Sequence, residues 1–126
     1  MHYSENTLSA QCRLSVEDEI KMLHKRVAQI LAMLGDIRDE QNLSAEEVLV
    51  FLAVGMLGIT VTRAGVEVRP VPCSEISDLL HIPKETVRRR TAALIRRKMA
   101  AMTANGINVT NTFAWTAVAR VIVRTG

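Results

Sequence analysis

Residues 84–98 read Lys-Glu-Thr-Val-Arg-Arg-Arg-Thr-Ala-Ala-Leu-Ile-Arg-Arg-Lys, seven cations against one anion, a net charge of +6. The whole 126-residue chain carries only +3, so everything outside this segment sums to −3. Arginine and lysine at this density can neutralise phosphates and read guanine edges, and a double-stranded nucleic acid is the polyanion that rewards such clustering. A basic run taken alone is as consistent with a solvated helix face. Its spacing adds the second clue: Val87, Thr91, Leu94 and Ile95 form one apolar-leaning stripe, while Arg89, Ala92 and Arg96 fall on the opposite side. Long cations and small residues thus share the outward face of a helix predicted over 84–98.

The elements before the run are those needed to present it. Ser74 is read as the cap of a short helix over 75–80, with Ile76, Leu79 and Leu80 facing inward. His81, Ile82 and Pro83 make a turn, because proline disfavours helical backbone in the residue before it and suits the start of the next helix. Lys84, Thr86, Arg88 and Arg89 lie in the half of the basic helix expected to sit deepest in a major groove. Arg96 and Arg97, further along, are expected at the backbone or in solvent, and Ser74 or Ser77 are placed to donate to a phosphate. Glu85 is of a type that accepts from cytosine, but the more ordinary reading is a solvated acid at a helix start. Arg90 is expected to lean over the core edge or to pair with an acid such as Asp78.

After the run, Asn105-Gly106 is a strong hairpin signal, predicting strands near 100–104 and 107–112 about a type I′ turn. The loop 103–106 holds no cation; Asn105 or Asn108 remain as phosphate donors. The segment Ser-Glu-Ile-Ser-Asp-Leu-Leu-His-Ile-Pro-Lys-Glu-Thr-Val-Arg-Arg-Arg-Thr-Ala-Ala-Leu-Ile, residues 74–95, resembles the bacterial winged helix-turn-helix transcriptional regulators of the MarR/IclR-like group. The resemblance spans roughly residues 44–112. It implies a mainly α fold with a small β-hairpin, a winged helix-turn-helix preceded by a long N-terminal helix. Members usually carry a glycine where the recognition helix meets the wing; this chain has Arg97-Lys98-Met99 there.

Upstream, Ser44 and Glu47 form a capping box for a helix over 45–58, possible to about 62, that is apolar on every side and so expected to be covered all round. Val66 to Val71 alternates as a short strand candidate. Ser15 and the acids at 17–19 suit a helix start, with Gly35 as its stop. Ile20, Leu23, Val27, Ile30 and Leu34 repeat at alternating spacings of three and four, a seam that either packs on its own domain or pairs two subunits. The organisation read from the chain is a loose arm at 1–14, a dimerisation element at 15–43, the winged domain at 44–112 and a tail at 113–126 that suits either a helix or a strand.

Other classes find little support. Aromatics make up 3% of the chain, too few for a stacking single-strand binder. The longest apolar run, 48–61, is shorter than a membrane span, and no basic-then-apolar leader is evident at the start. Cys12 and Cys73 are read as reduced thiols of a cytoplasmic protein. His2, His24 and His81 are scattered, and no zinc pattern, phosphate loop or nucleophile constellation occurs. No metal, cofactor or enzyme activity is therefore expected. The expectation is a sequence-specific regulator binding double-stranded DNA as a homodimer. The alternative is a winged helix serving as a protein-interaction module. Met22, Met33 and Met56 leave a small-molecule effector pocket conceivable, though methionines are more often core fillers.

Overall fold

Helix α2, Ala45–Gly58, organises the molecule. Ser44 Oγ accepts from the Glu47 backbone N–H at 3.3 Å, and Glu47 Oε1 accepts from the Ser44 N–H at 3.0 Å, so the expected capping box is complete. Val48, Val50, Phe51 and Val54 are almost wholly buried. The helix is not covered all round, however: Leu49 and Met56, seven residues apart on one flank, are 49% and 58% exposed. The structure is a computed structural model that describes the backbone of residues 5–125 and the side chains of 15–124.

Helix α1, Glu5–Gln41, precedes α2. The expected arm is thus already helical from Glu5, residues 1–4 lie outside the described residues, and Ser15 sits within the helix rather than capping it. Gly35 does not stop it. Met33 and Ile37 on either side are buried in the core, and that burial outweighs the cost of an interior glycine, about 1 kcal/mol. The helix ends before Asn42, which takes a left-handed conformation (φ 58°).

The chain leaves α2 into a hairpin that periodicity places only in part. Strands β1, Ile59–Thr62, and β2, Gly65–Val68, pair antiparallel with Val61 opposite Val66. The strand expected at 66–71 is therefore split: its first half belongs to β2, and Val71 makes a separate bridge to Ile107. Helices α3, Cys73–Leu80, and α4, Lys84–Arg96, follow. Strands β3, Ala100–Thr103, and β4, Gly106–Val109, form the second antiparallel hairpin, and Val71 exchanges backbone hydrogen bonds of 2.9 and 2.8 Å with Ile107 at its edge.

The expected type I′ turn is displaced by one residue. Thr103 pairs with Gly106, so Ala104 and Asn105 are the loop, and only Gly106 has positive φ (138°). The tail is a helix, α5, Thr112–Thr125. It packs on α1 and α2 through Ala114 and Val118, and the Trp115 indole N–H donates to the Phe51 carbonyl at 3.1 Å. The architecture is mainly helical with two small hairpins, and among the described residues no helix is long and apolar enough to cross a membrane.

Candidate nucleic-acid interface

Pro72, not Ser74, occupies the N-cap position of α3, and it makes no side-chain cap. Ser74 lies one residue inside the helix and is partly exposed. His81 ends α3 in the left-handed region (φ 57°), its N–H bonded to the Ser77 carbonyl. Ser77 Oγ donates across the turn to the Ile82 carbonyl at 2.5 Å, which spends on the turn the proton expected for a phosphate. Pro83 then caps α4 with extended backbone. Ile76 and Val87, both wholly buried, lock the two helices to one core.

Val87, Thr91 and Leu94 are fully buried and Ile95 is half-buried, so α4 turns the expected stripe inward, with Ala93 buried beside it. Lys84, Arg88, Arg89 and Arg96 are exposed, and Thr86 is half-exposed among them. Lys84, Arg89 and Arg96 make no ion pair among the described residues. Arg88 reaches Glu85 at 3.3 Å, but both side chains are about two-thirds exposed (68% and 66%), so solvent leaves this pair little energy and the arginine easy to recruit.

Two arginines of the run face the other way. Arg90 pairs with Glu46 at 2.7 Å rather than with Asp78. Arg97 donates to Glu47 Oε1 at 3.0 Å, the same oxygen that completes the capping box of α2. The Glu47 side chain is only 9% exposed, so a buried carboxylate depends on this guanidinium for compensation. Arg97 is thereby withdrawn from the expected set of phosphate contacts. It serves instead to fix α4 to the first turn of α2, and no local pattern announces that role because the partner lies 50 residues away.

The helix ends at Arg96, two residues earlier than its charge pattern suggests. Lys98 takes the left-handed position (φ 60°), the Lys98 N–H bonds to the Ile95 carbonyl and the Met99 N–H to the Leu94 carbonyl. That is the Schellman closure in which glycine is the usual residue. The place where the resembled family carries a glycine thus keeps a glycine-like backbone with a lysine in it. Asn105 is exposed at the hairpin tip, whereas Asn108 is only partly exposed and its Oδ1 is buried without a hydrogen-bond partner among the described residues.

The other expected residues divide along α1. Ile20, Leu23, Val27 and Ile30 are 46%, 46%, 51% and 46% exposed, so among the described residues this stretch is left largely uncovered, while Leu34 is half-buried against the core. An apolar groove of about 380 Å³ opens beside it, lined by Ile30, Met33, Leu34, Val48, Leu49 and Ile122 among others. Met33 belongs to this groove, whereas Met22 and Met56 are exposed. Among the described residues no His, Cys, Asp and Glu cluster could hold a metal.

No family model matches the chain, and no curated protein matches it in sequence. Among solved structures the chain is similar in fold to the YusO protein from Bacillus subtilis, with a TM-score of 0.55 over 98% of this chain and 78% of that one, at 12% identity.

Proposed function

We propose that this protein is a sequence-specific regulator of transcription that binds double-stranded DNA, laying the outer face of α4 in the major groove within a winged helix-turn-helix formed by α2 to β4. The observation that carries the reading is the division of the basic run. Acids of α2 neutralise Arg90 and Arg97 and hold the helix, while Lys84, Arg89 and Arg96 stand exposed and make no ion pair among the described residues. Ala92 lies between them, small enough to let the helix approach base edges, and Thr86 lies on the flank toward Arg90. The hairpin tip Ala104-Asn105 offers no cation, which assigns the wing a minor share of phosphate binding. A single short helix reads few base pairs, so recognition by a homodimer of two half-sites completes the proposal.

Binding to duplexes selected from a random pool, followed over a range of salt, tests this reading. The affinity is expected to fall steeply with salt. Arg89→Ala is expected to cost roughly 1–3 kcal/mol of binding if it reads a base, with folding stability unchanged. Absence of duplex binding at low salt would defeat the proposal and favour a protein partner for the same face.

A further inference from the structure

Four turns of α1 leave apolar side chains in water. Val16, Ile20, Leu23, Val27 and Ile30 continue the line that Leu34 and Ile37 bury in their own domain, and Ile30 also forms the lip of the apolar groove between α1, α2 and α5. Seam and groove are therefore one surface. Charge tells which way its occupant runs. An acidic block, Glu17-Asp18-Glu19, and a basic block, His24-Lys25-Arg26, are mirror images about the midpoint between Lys21 and Met22.

We propose that this surface is covered by α1 of a second copy of the chain, running antiparallel and centred on that midpoint. The proposal rests on the homodimer reading above and adds the orientation, the register and the occupant of the groove. In this register Val16 meets the partner's Val27 and Ile20 meets the partner's Leu23, so apolar layers face apolar layers. In the same register Glu17 and Glu19, which flank the seam, come beside the partner's His24 and Arg26, while Asp18 and Lys25 lie on the far face of each helix. A parallel pair in register brings only Glu19 within reach of the partner's His24 across the seam and leaves Glu17 and Arg26 facing no opposite charge. A stable interface buries about 800 Å² per partner, more than four turns of seam can offer. The antiparallel register supplies the rest, because residues 5–14 of the partner's α1 then lie opposite residues 29–38, along the groove lined by Met33, Leu34 and Leu49.

Spin labels on the full chain test the arrangement. Lys21→Cys, Lys25→Cys and Gln29→Cys, each in a Cys12→Ser, Cys73→Ser background, place one label per protomer away from the seam. At 1.5 Å per residue the antiparallel register separates the paired labels along the axis by about 2, 10 and 22 Å in that order. Rising distances are expected, whereas three equal distances would overturn the antiparallel register and leave DNA recognition by α4 untouched. A chain that stays monomeric would overturn the pairing itself, again independently of the Arg89→Ala result. As a second readout, reversing Glu17 and Glu19 to lysine is expected to weaken dimerisation on the order of tenfold, and adding His24→Glu and Arg26→Glu to restore it. Failure of the fourfold variant to recover would also count against the register.

Discussion

The two hairpins close with the same four-residue formula and differ in everything around it. Thr62-Arg63-Ala64-Gly65 and Thr103-Ala104-Asn105-Gly106 each place a threonine hydroxyl so that it accepts from the N–H two residues on and donates to the glycine carbonyl. Both glycines have positive φ, 118° and 138°. Yet a Cβ on Gly65 would meet open space, while one on Gly106 would collide with the Val71 carbonyl. The second hairpin is wedged against the Val71 strand and sends Ile107 and Val109 into the core; the first holds Val61 and Val66 out in solvent, 81% and 63% exposed. Turn chemistry thus sets the local bend, and the neighbours decide whether that bend is structural.

Substitutions at matched positions can break or sharpen this contrast. Gly106→Ala combines strained backbone with a backbone collision and is expected to lower stability by roughly 3 kcal/mol in urea unfolding. Gly65→Ala meets only the conformational penalty and should cost about 1 kcal/mol; equal losses at the two glycines would erase the distinction. Between these lies Arg97→Ala, which breaks the tie from α4 to α2 and is expected to cost about 2 kcal/mol by leaving the Glu47 carboxylate uncompensated, with Glu47→Gln recovering part of the loss. Smallest of all, Val61→Thr and Val66→Thr should change stability by less than about 0.5 kcal/mol, since neither valine is buried.

The sequence carries some of this plainly and some not at all. The cap of α2, the Pro83 break and the inward stripe of α4 are local signals, set by a hydroxyl, a ring and a 3.6-residue period, and each appears where the residues place it. The first hairpin is hidden because Ile59 and Val61 prolong the apolar run of α2, although Gly58, Thr60 and Thr62 break it; its repeated Thr-x-x-Gly turn is the signal that would find it. Asn105-Gly106 marks a turn correctly, but the loop falls one residue earlier because Gly106 must pass beside Val71. Trp115, Val118 and Ile122 recur at helical spacing in the tail and would have decided for a helix over a strand. Helical phase sets Arg90 apart from Arg89 and Arg96, but the acids that hold Arg90 and Arg97 are beyond local reading because Glu46 and Glu47 lie on another helix.

Trp115 is the one tryptophan of the chain, and its ring occupies the notch left by Gly55 with its N–H on the Phe51 carbonyl. Its fluorescence is therefore an intrinsic gauge of whether α5 is seated on α2. Detachment of that helix would expose the indole to water and move its emission to the red while the far-ultraviolet signal of the remaining helices persisted. Loosening of the C-terminal element can thus be followed, without any added dye, separately from global unfolding.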